Sequence, residues 1–148
     1  DIAVSSPSAA TVAIYPLMAG GELASDDVKA KILESCNRRD VRPLTDFVIV
    51  EDPEIVFYDL TITYHLPGYA RSRQSDFDVA IGKAVSDYKT WQRSKLGRGI
   101  DPGELYSLLL KSDAKRVTVE PNLFVPLNKN QVAREREIIT EFGGFIDD

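Results

Sequence analysis

Residues 41–66 read VRPLTDFVIVEDPEIVFYDLTITYHL. From Val56 onward the side chains alternate. Val56, Tyr58, Leu60, Ile62, Tyr64 and Leu66 fall on one side, and Phe57, Asp59, Thr61, Thr63 and His65 on the other. A strand repeats every two residues, so this segment has one apolar face and one mostly polar face. Such a strand suits a mixed or mostly antiparallel sheet covered on one side only. Phe47–Val50 is a continuous apolar run and reads as a second, more buried strand. Asp52-Pro53 separates the two. Proline has no N–H for a central ladder, so the pair marks a turn or a bulged corner.

Upstream, residues 1–10 (DIAVSSPSAA) are small, polar and aperiodic, as in a linker or a frayed end. Thr11–Leu17 reads as a strand and Gly20-Gly21 as a turn. Ser25 is a good N-cap, and Asp26 and Asp27 follow where a helix dipole favours negative charge. Val28, Ile32, Leu33 and Cys36 form one face of that helix. Pro43 stops it. Downstream, Leu66-Pro67-Gly68 ends the long strand, and residues 69–74 form a basic loop. Ser75 with Asp78 resembles a capping box. Phe77, Ile81, Ala84, Val85, Tyr88 and Trp91 give the next helix its stripe, and Gly97 stops it near Leu96. Asp101-Pro102-Gly103-Glu104 opens a third helix with Leu105, Leu108 and Leu109 inward. Lys115–Glu120 reads as a strand, residues 121–130 as a loop and Gln131–Phe142 as a last strand. Gly143-Gly144 ends it, leaving 145–148 as a tail. The order is strand-helix-strand-strand-helix-helix-strand-strand. It predicts a two-layer α+β fold, with about three helices packed on one face of the sheet, as a single domain over residues 11–148.

A chain of 148 residues is long enough for one real core. Its net charge of −5 argues against generic nucleic-acid binding, which shows as a basic balance. No apolar run is long enough to span a bilayer, and the start has no signal-peptide pattern. The chain begins at Asp1 rather than Met, which points to an excised domain or a processed product. The single cysteine, Cys36, rules out an intrachain disulfide.

The inventory of chemical groups is short. His65 is the only histidine and lies on a strand. Cys36 lies on the inward face of the first helix, where a cysteine acts as a small hydrophobe. Gly97-Arg98-Gly99 follows a helix rather than a strand and lacks a GK[ST] sequence, so it is not a phosphate loop. Asp26/Asp27 and Glu135/Glu137 are explained by helix-end electrostatics and a solvated strand face. Arg71, Arg73, Lys89, Arg93, Lys95 and Arg98 give the middle a basic tint, which reads first as a solvated face and second as a docking patch for an acidic partner. No catalytic residue, cofactor site or metal site emerges, and no small-molecule substrate is expected.

The order of pieces nevertheless resembles a known family, the phage baseplate J proteins of contractile tails and related injection machines. The matching pieces are AIYPLMAGG at 13–21, RPLTDFVIV at 42–50, Pro53-Glu54, Leu96-Gly97-Arg98, Asp101–Leu110 and Lys115–Val117. The resemblance covers residues 11–142 and matches the C-terminal part of longer family members. It implies a non-enzymatic structural component of a tail baseplate, located in the virion and assembled in the bacterial cytoplasm. Its partners would be other baseplate wedge subunits and neighbouring copies of itself, with no nucleic acid and no membrane. Side chains the core leaves over are then the interface candidates: Tyr69, Arg71, Arg93, Arg98 and Phe145. Two other classes stand beside this reading: a small-ligand-binding regulatory α+β domain, and a non-catalytic fragment of a larger enzyme.

Overall fold

The computed structural model describes residues 1–38 and 47–148. In chain order these form β1 (Ile2–Ser8), β2 (Thr11–Pro16), α1 (Asp26–Cys36), β3 (Phe47–Val50), β4 (Glu54–Pro67), α2 (Gln74–Arg93), α3 (Pro102–Lys111), β5 (Arg116–Glu120) and β6 (Gln131–Ile146). The class is the expected α+β, with three helices and mixed sheets among the described residues. The strands are divided between two three-stranded sheets, ordered β1-β2-β3 and β5-β4-β6. Two compact units result. One comprises Asp1–Val56, Arg93–Arg98 and Leu127–Ala133; the other comprises Phe57–Gln92, Gly99–Pro126 and Arg134–Asp148.

In the first unit β1 and β2 pair antiparallel, with Ala3 opposite Tyr15 and Val4 opposite Ile14. β3 then pairs parallel to β2, with Ala13 opposite Ile49. Ala3, Ala13, Tyr15 and Ile49 therefore share one face, and they pack with Leu17, Leu96, Val132 and Ile55 into a core. β1 corrects the reading of the first ten residues as a linker or frayed end. Its inward side chain at the core is only Ala3, while Ile2 and Val4 are exposed. A strand that buries so little carries almost no apolar periodicity, and its pairing with β2 makes it a strand. α1 begins as expected, with the Val28 N–H donating to Ser25 Oγ at 3.4 Å. Val28, Ile32, Leu33 and Cys36 are half-buried rather than buried, so Cys36 is not a core residue. Lys29 bonds Asp52 at 2.7 Å, tying α1 to the corner after β3. The roles expected of Pro43 and Asp46 fall outside the described residues.

In the second unit the alternation of the long strand is realised. Tyr58, Leu60, Ile62, Tyr64 and Leu66 are buried, while Phe57 and Asp59 are exposed and Thr61, Thr63 and His65 half-buried. β5 pairs antiparallel to β4, with Ile62 opposite Val119. The Glu137 N–H donates to Asp59 Oδ1, and Gly143 sits against His65. Both pairs have the same offset, so β4 and β6 run parallel in this mixed sheet. α2 lies on the apolar face. Tyr58 and Tyr88 meet edge to face at 6.3 Å, and the Tyr64 hydroxyl donates to Asp78 at 2.6 Å. α3 packs on β5, with the Val119 N–H donating to the Tyr106 hydroxyl at 3.1 Å.

Three boundaries differ from expectation. Residues 68–73 form a 3-10 turn that runs directly into α2 at Gln74, so Ser75 is inside the helix and caps nothing. α2 ends at Arg93, and Gly97 with φ +69° serves the turn beyond it. β6 continues through Gly143-Gly144 to Ile146, so the expected tail is strand. α3 matches its signals, with the Gly103 N–H donating to Asp101 Oδ1 at 2.9 Å and Pro102 in the first turn.

Candidate docking surface

The 3-10 turn that follows β4 presents two of the expected interface residues. Tyr69 is 76% exposed and meets Phe77 of α2 edge to face at 6.3 Å. Two residues on, Arg71 reaches the end of β6. Its Nη1 and Nη2 donate to the two carboxylate oxygens of Asp147 at 2.7 and 2.8 Å, a bidentate pair. The guanidinium also lies over the Phe145 ring, 5.1 Å from its centroid, the geometry of a cation–π contact. Gly68 makes this approach possible, because a Cβ there would collide with the Asp147 carboxylate. The hydrogen bond between the two, then their opposite charges, holds the Asp147 carboxyl below the ordinary carboxylate range and Arg71 above its ordinary value.

Phe145 continues the cluster. It meets Phe142 edge to face at 5.1 Å, and Phe142 lies 5.6 Å from Tyr64. In a regular strand, residues three apart point to opposite faces. Gly144, at φ +113°, breaks that alternation, and only glycine adopts such a conformation readily. The two phenylalanines are thereby brought together. Tyr64 itself is anchored by Asp78. Burial first, and then that hydrogen bond, push its hydroxyl up to about 12. Tyr64, Phe142, Phe145 and the Arg71 guanidinium thus form one connected set, exposed at Phe142, while Tyr69 and Phe77 make a separate pair.

Of the five expected residues, the structure brings Arg71 and Phe145 into contact, and Tyr69 shares the 3-10 turn with Arg71. Arg93 and Arg98 belong to the other compact unit and are half-buried there. Arg93 lies against Gly21, and Arg98 Nη1 donates to Ser94 Oγ at 3.0 Å. Sequence reasoning missed Asp147 because it ended the last strand at the glycine pair, and it read Phe142 only as a strand residue. The available signal was the pair itself. Glycines inside a strand pattern, flanked by Phe142 and Phe145, mark a bulge more readily than a stop.

The other candidate groups have structural surroundings. The His65 ring packs over Gly143, where a Cβ would lie 2.6 Å from its Cε1. Of the basic residues, Arg73 pairs with Asp76 at 3.2 Å. Among the described residues, no three His, Cys, Asp or Glu side chains gather in a metal-holding group, and no helix is long and apolar enough to cross a membrane. A cleft of about 440 Å³ opens between the first half of α2 and the end of α3.

No family model matches the chain. A comparison with curated proteins does find a relative, 33% identical over 146 residues, named Baseplate protein J, from Escherichia phage P2. The likeness is to the baseplate J family. It takes in 97% of this chain and 47% of the phage P2 protein, in that protein's C-terminal part. The chain thus spans about half the length of the relative it matches. The resemblance to the C-terminal part of baseplate J, carried in the sequence by short pieces in order, therefore holds over nearly the whole chain and includes both compact units.

Proposed function

We propose that this chain is a structural part of a phage tail baseplate, or of the baseplate of a related contractile injection system. In this reading it holds wedge subunits together through protein–protein contacts and catalyses no reaction. Its location would be the virion tail, after assembly in the bacterial cytoplasm. The observation that carries the reading is the 33% identity to Baseplate protein J of phage P2 over nearly the whole chain. The ring-and-guanidinium cluster supports it. Aromatic residues and arginine are the side chains most enriched at the energetic centres of protein interfaces. Here the Arg71–Asp147 pair and Gly144 fix their geometry before any partner arrives, which lowers the entropic cost of docking. Tyr69, Arg71 and Phe145 form one proposed contact with a neighbouring wedge subunit. Arg93 and Arg98 form a second, separate one.

The test uses full-length protein reconstituted with its cognate wedge proteins. Tyr69→Ala is the cleanest substitution, because the ring is mostly exposed and touches only Phe77 among the described rings. Tyr69→Ala combined with Phe145→Ala is expected to cut baseplate yield severely while leaving the protein folded. The pair Arg93→Glu and Arg98→Glu tests the second contact in the same way. Normal baseplates from both double variants would remove these residues from the interface. Intact tails after deletion of all 148 residues would defeat the structural reading itself.

A further inference from the structure

Residues 136–143 of β6 read REIITEFG, and all but the half-buried Ile138 are exposed. Neighbours in a strand alternate between its two faces, so this run is covered on neither face. β6 is also the last strand of its sheet, in the order β5-β4-β6. Backbone N–H and C=O groups alternate in direction from one residue of a strand to the next. Those of Glu137 turn toward β4, where the N–H donates to Asp59 Oδ1 at 3.1 Å. Those of Ile138, Thr140 and Phe142 then turn outward, and no backbone group among the described residues meets them.

The side chains along this edge set what it can accept. Gly143 faces His65 and Thr63, so alternation puts Glu141, Ile139 and Glu137 on that same face. Ile139 is 42% exposed. Arg136 is hydrogen-bonded to Asp59, and Glu137 acts on it only through space. Glu141 has no ion pair among the described residues. Arg116, opposite His65 on that face, lies two strands away on β5. The row along the edge is therefore carboxylate, isoleucine, carboxylate, with negative charge in surplus. Charged side chains guard an edge strand against pairing with its own kind. In an antiparallel pair of two copies centred on Ile139, Glu137 would fall opposite Glu141, and like charges directly opposite destabilise a strand pair. The same guard attracts a strand of opposite charge.

We infer that β6 takes an extended segment of a different protein as a fourth strand, with a lysine or arginine facing Glu137, an apolar side chain facing Ile139 and a second basic residue facing Glu141. Main-chain hydrogen bonds to Ile138, Thr140 and Phe142 supply the attachment, and the alternate side chains supply the selection. From Ile138 to Phe142 the strand rises about 13 Å, at roughly 3.3 Å per residue, so a segment of about seven residues covers it. The contacts proposed above use side chains alone. This one uses the backbone of a sheet edge, and the edge has these properties whatever the chain assembles with.

The probe is the peptide Thr-Lys-Thr-Val-Thr-Lys-Thr, whose order is the same from either end, so it serves a parallel or an antiparallel fourth strand. Titrated into the whole chain in the millimolar range at low salt, it is expected to bind and to slow amide exchange at Ile138, Thr140 and Phe142, which exchange quickly in the free chain. The same peptide with glutamate in place of lysine should not bind, and Glu137→Lys with Glu141→Lys should reverse that preference. Thr140→Pro removes an outward N–H, which an edge strand tolerates, and should weaken binding about tenfold, the equivalent of one hydrogen bond. Should that variant fold poorly, the lysine peptide methylated at every backbone nitrogen makes the same test on the intact chain: it keeps its charges, cannot pair, and should not bind. Binding of the methylated peptide, or undiminished binding by folded Thr140→Pro, would mean charge attraction without a strand. Unchanged exchange at the three amides would mean that no strand is added. A dimer of the chain alone that is lost in Thr140→Pro would mean that a second copy holds the edge. Each of these results overturns the inference.

Discussion

Gln92 is 0% exposed, the one fully buried polar side chain in the core of the described residues. Its Nε2 donates to the Gly99 carbonyl, and its Oε1 accepts from the Asp101 N–H and the Tyr88 hydroxyl, both at 3.1 Å. One side chain thus satisfies two backbone groups of the α2–α3 connection, the Gly99 carbonyl and the Asp101 N–H. Replacing it by leucine keeps the bulk and orphans these groups, each at about 1–3 kcal/mol. Gln92→Leu should therefore lower the urea midpoint by an amount equivalent to at least about 2 kcal/mol; a change under about 0.5 kcal/mol, the range of surface substitutions, would mean that water replaces the amide. A second residue-scale prediction concerns Gly143. A Cβ there meets the His65 ring at 2.6 Å and Thr63 Cγ2 at 3.0 Å, so Gly143→Ala should destabilise by overpacking, at about 1–3 kcal/mol. In His65→Ala the nearer obstacle is gone and only Thr63 Cγ2 remains, so Gly143→Ala should cost less. A double-mutant cycle with no coupling between the two positions would show that the ring moves aside freely.

β6 is tied within its length and just beyond its end by side chains outside its own strand. Arg136 pairs with Asp59 of β4, Arg71 holds Asp147 just past the strand's end, and Lys115 pairs with Asp148. The hydrogen bond from Arg136, ahead of the charge itself, lowers the Asp59 carboxyl, and Arg71 does the same for Asp147. A carboxylate with a depressed folded value stabilises fully above its unfolded value of about 3.9 and loses that contribution as pH falls through the folded value. The end of β6 is therefore expected to loosen below about pH 4, before the core of β4 does. Amide-exchange protection at residues 143–146, corrected for intrinsic rate, should fall in that range, and Asp147→Asn should reproduce the loss at neutral pH. Uniform protection along β6 down to acid unfolding would contradict it. The same element shows what was legible in the sequence. β4 could be read residue by residue because its two faces differ sharply, and α3 because its cap, proline and leucines agree. β1 and the end of β6 could not. The first buries only one small side chain in the core, and the second passes through a glycine whose positive φ reverses the facing of the residues beyond it. The docking cluster was half legible for the same reason. Tyr69 and Arg71 sit where a strand visibly ends, but Phe145 and Asp147, which Arg71 meets, lie beyond the glycine pair, where the strand did not visibly continue.

For the whole molecule, both compact units close around buried side chains supplied by this chain alone. Ala13, Tyr15, Leu17, Leu96 and Val132 do so in one, and Ile62, Leu66, Ile81, Tyr88, Leu105 and Leu109 in the other. A chain that matches 47% of a longer relative therefore carries its own cores, and its proposed contacts lie on its own surface. Produced in excess, such a chain occupies partner surfaces by mass action. Expressed in a cell that is producing the parent particle, the 148-residue chain should lower the yield of complete tails in proportion to its amount. Chains carrying Tyr69→Ala with Phe145→Ala, or Arg93→Glu with Arg98→Glu, should interfere less, because each removes one proposed contact. Tail counts by electron microscopy and infective titre read the outcome. Equal interference by the intact chain and both variants would assign the effect to some other surface, and no interference at any expression level would mean that these 148 residues alone do not bind the neighbours.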